Sequence, residues 1–224
     1  IGLDIPFIGV NHLEGHLYAN FISCSDLQYP YICLLVSGGH TQIWEISKVG
    51  DYILHSTTID DAAGEAFDKG ARILGLGYPG GPEIEIAARN GDPFSYPFKI
   101  ANIKSHPLYF SFSGLKTALL YKSRELSADE LTKNKSNIAA SYQEAIIDTL
   151  LDKLRQAVNK TNNLRISITG GVAAVVDVVS LASIVIFVLK IVVPDSLISQ
   201  VSNVPPVAAV VNEALTAVTV NAYG

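Results

Sequence analysis

Between Phe7 and Leu154 the apolar residues switch repeatedly between the two-residue period of a strand and the 3.6-residue period of a helix. A chain that alternates in this way closes its hydrophobic surfaces as an α/β fold. A short apolar strand, Phe7 to Val10, is expected before a helix that starts at His12. Tyr31 to Val36 and Thr41 to Ile46 read as two strands around Ser37-Gly38-Gly39-His40, a hairpin with glycine at its turn. A helix from about Asp61 to Leu74 stops at Gly75, and a glycine-proline loop, Gly77 to Pro82, leads into a shorter helix ending near Arg89. Ser127-Ala128-Asp129-Glu130 has the form of a capping box, after which Ile138, Tyr142, Ala145, Ile146, Leu150 and Leu154 repeat at helical spacing.

The 224 residues suffice for one large domain or two modest ones. With 49% hydrophobic and 17% charged residues, a disordered polyelectrolyte is excluded. A net charge of −5 argues against sequence-blind binding of nucleic acid and leaves that role to a local basic patch or a partner. Cys24 and Cys33 are too far apart for a CxxC pair and too few for a disulfide framework, so they read as buried thiols in a reducing compartment. The start at Ile1 and the absence of Met suggest a piece of a longer polypeptide.

Composition breaks at Val172: 16 valines follow in the last 53 residues, against four before it, and only Asp177, Lys190, Asp195 and Glu213 are charged there. Three readings of this stretch stay open. Val172 to Val193 is long enough for a membrane span, although Asp177 and Lys190 fall inside it and its flanks are not basic. It also suits buried strands and helix of an α/β core. The third reading is that the residue assignments of this stretch are wrong or come from an altered reading frame.

Several patterns carry chemistry. In Asn11-His12-Leu13-Glu14-Gly15-His16, Asn11 can cap a helix that puts His12 and His16 four residues apart on one face, where two imidazoles can hold one metal or simply form a polar face. Glu14 follows the first histidine by two, so the general base of a HExxH protease is not in place. The small residues of Ser37-Gly38-Gly39 allow backbone N–H groups to approach a phosphate, or make an ordinary turn. Asp61, Glu65, Asp68 and Arg72 share a helical face, solvated or, at Asp68, open to a sugar hydroxyl. Lys99, Lys104, Lys116, Lys122 and Arg124 accompany Tyr109, Phe110 and Phe112, which fits either a nucleic-acid contact or a solvated rim around buried rings. His55 and His106 have no partner visible in the sequence and read as structural.

Ile5-Pro6-Phe7-Ile8-Gly9-Val10 with NHLEGHL (Asn11 to Leu17), LLVSGGHTQ (Leu34 to Gln42), IDDAAGEAFDK (Ile59 to Lys69), YPGGP (Tyr78 to Pro82) and SFSGLKT (Ser111 to Thr117) together resemble the TsaD family, over about residues 5–171. The resemblance implies an actin-like, sugar-kinase-like (ASKHA) two-lobed α/β fold, of which this chain carries the later part. It also implies transfer of a threonylcarbamoyl group from its adenylate to the exocyclic amine of the adenosine beside the tRNA anticodon. By position, His12 and His16 would be ligands of one divalent metal, iron or zinc. Leu35, Val36, Ser37, Gly38 and Gly39 would cradle the phosphate of an adenylate or ATP-type nucleotide, and Asp68, Gly81 and Glu85 would meet the nucleoside. The implied partners are tRNA, a TsaB-like paralogue and a TsaE-like ATPase, with no membrane, in the cytoplasm or an organelle matrix. On this reading residues 1–171 carry the metal and nucleotide motifs, and the Val-rich tail, 172–224, completes the same core.

The chain also departs from the family pattern. Gly170-Gly171-Val172-Ala173-Ala174 is followed by Val175 where a nucleotide-contacting Asn is expected, and no Asp-Asn pair occurs in the tail to supply a third metal ligand. Asp195, between Pro194 and Ser196, does not match that position. The alternative is therefore a non-catalytic paralogue that serves as a binding or dimerisation partner.

Overall fold

A computed structural model describes residues 8–23, 26–173 and 218–221. In chain order these form α1 (His12–Ser23), β1 (Tyr31–Val36), β2 (Thr41–Lys48), β3 (Asp51–Thr57), α2 (Ala63–Ile73), α3 (Gly80–Ala88), α4 (Ser113–Glu125), α5 (Ala128–Thr161), β4 (Ile166–Thr169) and β5 (Val218–Asn221). The strands make one mixed sheet in the order β3-β2-β1-β4-β5, antiparallel from β3 to β1 and parallel from β1 to β5. The fold is α/β, as the alternating pattern requires.

β1 lies between β2 and β4, and all six of its residues are buried. Its pleat divides the interior. Ile32, Leu34 and Val36 point into the larger core with α2 to α5, while Tyr31 and Cys33 point into a smaller one with Leu17 of α1, Ile46, Phe21, Tyr29 and Trp44. Helices therefore cover both faces of the strand, and full burial of each such side chain contributes roughly 1.5–3 kcal/mol.

The capping box at Ser127 and Glu130 starts a 34-residue α5, with the Ser127 hydroxyl accepting from the Glu130 N–H at 3.3 Å. Its predicted apolar stripe is buried from Ile138 to Leu154. Tyr142 on that stripe donates to the Ala66 carbonyl at 2.9 Å, and its ring lies where a Cβ on Gly70 would be. These contacts seat α2 on α5.

Four sequence expectations need correction. Ile8 to Val10 are not a strand: among the described residues no strand pairs with them, and Ile8 and Val10 are exposed; Phe7 lies outside the described residues. β3 was not anticipated, because an edge strand exposed at Asp51, Ile53 and Leu54 carries little hydrophobic period. α2 begins at Ala63 rather than Asp61, since the Asp61 carbonyl accepts from the Thr58 hydroxyl at 2.7 Å and Thr41 Oγ1 accepts from the Ala63 N–H at 2.8 Å. Finally, Gly80, Gly81 and Pro82 are the first turn of α3 rather than a loop, since proline is tolerated where helix N–H groups have no partner.

Cys33 is a buried free thiol whose pKa burial pushes up to about 11; Cys24 lies outside the described residues. Among the described residues no helix is long and apolar enough to cross a membrane, and residues 174–193 of the Val-rich run fall outside them.

Candidate functional site

The carboxyl ends of parallel strands are where open α/β sheets hold ligands, and at the ends of β1 and β4 three stretches of backbone meet. After Val36, the Ser37 N–H donates to the His40 carbonyl at 2.8 Å and the His40 N–H to Ser37 Oγ at 3.1 Å. The N–H groups of Gly38 and Gly39 take no part in these turn bonds, and a Cβ on either glycine would meet nothing within 4 Å. From below, the first turn of α2 approaches so closely that a Cβ on Gly64 would lie 2.7 Å from both Gly38 Cα and Ser37 O. The positive end of that helix therefore faces the loop. From the side, Gly170 adopts φ +107 and packs where a Cβ would stand 2.2 Å from the Val36 carbonyl, which accepts from the Val172 N–H at 3.1 Å.

The five-residue stretch expected to hold a phosphate divides between strand and turn. Leu35 is paired with Gln42 on one side and Thr169 on the other, and Val36 with Thr41 and Val172, so both serve the sheet. Gly38 and Gly39 are the positions open to an anion.

Beside this loop stand three imidazoles. Asn11 caps α1 as expected, with Oδ1 accepting from the N–H groups of Leu13 at 2.9 Å and Glu14 at 3.2 Å. The His12 and His16 rings lie 4.6 Å apart, and His40, which follows the glycine pair, brings its ring within 6.2 Å of His12. Thr169 Oγ1 donates to the His16 carbonyl at 3.2 Å and ties α1 to the end of β4. Burial, and then the neighbouring His12 and His40, lower the His16 pKa and favour the neutral ring that a metal requires. The pair fits two ligands of one metal. Among the described residues no group of three or more His, Cys, Asp or Glu is gathered to complete such a site. Val175 and Asp195 lie outside the described residues.

One turn beyond Gly64, Asp68 Oδ1 accepts from the Gly80 N–H at 2.7 Å and so caps α3. A Cβ on Gly80 would sit 2.5 Å from Asp68 Cα, and Gly81 is the next residue of α3. Oδ2 of Asp68 makes no hydrogen bond among the described residues. Glu85, one turn further along α3, lies 3.8 Å from Arg89.

Asp60 was not singled out by the sequence. Its carboxylate accepts from the Ser111 hydroxyl at 2.5 Å, the Ser113 hydroxyl at 2.8 Å, and the N–H groups of Phe112 at 2.8 Å and Ser113 at 3.3 Å. Partial burial opposes its charge, but these bonds outweigh it and hold the carboxyl below its ordinary pKa. Asp61 pairs with Lys69 and, at 3.3 Å, with Lys116. The two aspartates thus clamp IDDAAGEAFDK to SFSGLKT. The available local signal was that α4 has no side-chain cap of its own at Phe112.

Phe110 and Phe112 are core residues, which removes them from a nucleic-acid surface. His55 pairs with Glu45 at 2.7 Å, and His106 stacks on Tyr109 with ring centroids 4.8 Å apart, so each has a partner the sequence did not show. A cavity of about 490 Å³ opens at the other end of the sheet, lined by Pro30, Glu45 and the chain from Thr161 to Arg165. It touches none of these candidate residues.

The family described as TsaD, tRNA N6-adenosine threonylcarbamoyltransferase, matches residues 1–201. Curated relatives bearing that same name include one from Paracidovorax citrulli, 48% identical over 77% of this chain and 49% of the relative. Another, from Kosmotoga olearia, is 51% identical over 78% of the chain and 51% of the relative. A third, from Synechocystis sp., is 48% identical over 75% and 50%. The chain spans about half the length of the curated relatives it matches.

Proposed function

The chain belongs to the TsaD family, and from that premise we propose that it takes part in transferring a threonylcarbamoyl group from its adenylate to the exocyclic amine of the adenosine beside the tRNA anticodon. The observation that carries this reading is the meeting of the His12–His16 pair, the open Gly38–Gly39 loop and the N-terminus of α2 at the carboxyl ends of β1 and β4. The chain is read as the later part of an actin-like two-lobed fold, a reading that the mixed sheet with helices on both faces supports. The pairing of β5 with β4 supports a tail that completes the same core.

Each group has a part in this chemistry. The N–H groups of Gly38 and Gly39, backed by the α2 dipole, hold the adenylate phosphate. Oδ2 of Asp68, with Oδ1 committed to α3, accepts from a ribose hydroxyl, while Gly81 leaves room for the nucleoside and Glu85 borders it. His12 and His16 hold a divalent iron or zinc, which when bound supplies Lewis-acid polarisation of the carbamoyl carbonyl. In the transfer the adenosine amine forms a bond to the carbamoyl carbon, the bond from that carbon to the phosphate oxygen breaks, and the amine loses a proton as AMP departs. A TsaB-like paralogue and a TsaE-like ATPase complete the assembly in the cytoplasm or an organelle matrix, which the free Cys33 thiol suits.

Metal analysis and nucleoside mass spectrometry test this reading. His12→Ala and His16→Ala are expected to lower bound metal at least tenfold and to abolish modification of tRNA by the assembled system. Full modification by the double variant would overturn the transferase reading. Metal retained by the wild type without any transfer would favour a binding partner instead.

A further inference from the structure

α1 carries the His12–His16 pair, yet it is 12 residues long and has Gly15 between the two histidines. A helix of that length is marginal in water by itself, and glycine weakens it further. What fixes the two rings in space is therefore the seat of α1 on the sheet. Among the described side chains of α1 only Leu17 and Asn20 are buried, and only the first is apolar. We propose that Asn20 and Thr169 are positioning residues for the His12–His16 pair: their hydrogen bonds set the rotation and register of α1 on the sheet and so hold both imidazoles at one metal ion. This rests on the metal-binding part of the function proposed above.

β4 presents two unlike faces. Ile166 and Ile168 enter the larger core, while Ser167 and Thr169, both buried, turn to the side that α1 covers. Ser167 stands beside Cys33 in the parallel register, so the seat of α1 is a partly polar stripe across β4 and β1. Three side chains tie the helix to it at successive turns. Thr169 Oγ1 donates to the His16 carbonyl at 3.2 Å. Asn20, one turn beyond His16, donates through Nδ2 to the Leu17 carbonyl at 2.9 Å and to Cys33 Sγ at 3.6 Å. The Tyr31 hydroxyl donates to the same Leu17 carbonyl at 3.4 Å. The helix is thus held from β4 at the level of the second histidine and from β1 one turn below it.

Stability alone does not account for these residues. Asn20 Oδ1 is buried and accepts no hydrogen bond among the described residues, which costs folding free energy that an apolar side chain of similar size would not. What a lone polar side chain gives an apolar seat is register, as a buried Asn does in a coiled coil. A slip of one residue along the helix would move the rings by about 1.5 Å and turn them by about 100°. Metal–ligand distances tolerate only about 0.2 Å. The hydrogen bonds of Asn20 and Thr169 forbid that slip, because each is satisfied at one register only.

The test is titration of the 224-residue chain with cobalt(II) chloride, followed by the visible absorption of the bound ion, beside urea denaturation of the same variants. Thr169→Val removes the hydroxyl and keeps the shape, and Asn20→Leu removes the amide. Each is expected to weaken cobalt binding about tenfold and to shift the absorption bands. The urea midpoint of Asn20→Leu should stay at or above that of the wild type, since the orphaned oxygen is gone. Thr169→Ser keeps the donor and should restore wild-type affinity. His12→Ala, which removes a ligand, serves as the control for loss of the site. Wild-type cobalt affinity in both Thr169→Val and Asn20→Leu, with none in His12→Ala, overturns the positioning role and leaves the metal pair standing. Affinity that falls only in step with the urea midpoint, or falls equally in Thr169→Ser, also overturns it. Absence of cobalt binding by the wild type overturns the metal pair and the positioning role together. Should one variant fail to fold by circular dichroism, the other decides; if neither folds, these bonds hold the sheet rather than the pair, and the positioning role falls.

Discussion

Asp60 shows how much one carboxylate does at a distance in sequence. It accepts four hydrogen bonds from Ser111, Phe112 and Ser113 and supplies the cap that α4 lacks locally. Asp60→Ala is expected to cost about 1 kcal/mol, measured by urea denaturation, because the site is partly solvated. The pH dependence follows from the lowered pKa. A carboxyl whose folded pKa lies below its unfolded value of about 3.9 stabilises the fold above that value, and the contribution is lost as pH falls through the folded pKa. Stability of the wild type should therefore fall more steeply from about pH 4 downward than that of Asp60→Asn; parallel curves would show that the bonds carry no net energy. His40 is the companion case. Its place after two glycines marked it as a turn residue, and its approach to His12 depends on how α1 lies across the sheet.

At the scale of elements, the α2 contact with the hairpin loop decides the shape of the candidate site. Helix propensity alone makes Gly→Ala stabilising by up to about 1 kcal/mol. At Gly64 the added methyl would stand 2.7 Å from Gly38 Cα and Ser37 O, both backbone atoms, and such overpacking costs about 1–3 kcal/mol. Gly64→Ala is therefore expected to be less stable than wild type by about 1 kcal/mol or more. Gly114→Ala in α4, where the Cβ would meet nothing within 4 Å, should be neutral to slightly stabilising. Urea midpoints measure both, and a Gly64→Ala variant as stable as Gly114→Ala would mean that the loop gives way freely. α2 and α3 were legible as helices from their apolar spacing. Their first residues were not, because Thr41 caps α2 from a strand and Asp68 caps α3 from a helix.

For the molecule as a whole, protection should follow the layering. β1 has a strand on each side and a helical layer on each face, whereas β3 is an edge strand with Ile53 and Leu54 exposed. Native-state hydrogen exchange is expected to be slowest in β1 and in the buried middle of α5, and markedly faster in β3; equal protection of β1 and β3 would contradict this account. The α/β class, the β1–β2 hairpin, the α5 capping box and the His12–His16 spacing were all readable in the amino-acid order, because each is a local pattern set by backbone period or by neighbours within four residues. The edge strand β3, the Asp60 and Asp61 clamps, the Thr41 and Asp68 caps and the arrival of His40 beside His12 were decided by the tertiary structure. β3 is a hairpin neighbour of β2 whose exposed edge blurs its period; the others join groups 12 to 55 residues apart, and no local period records which distant acceptor will satisfy a helix end or which ring will be carried to a neighbour once the sheet is covered on both faces.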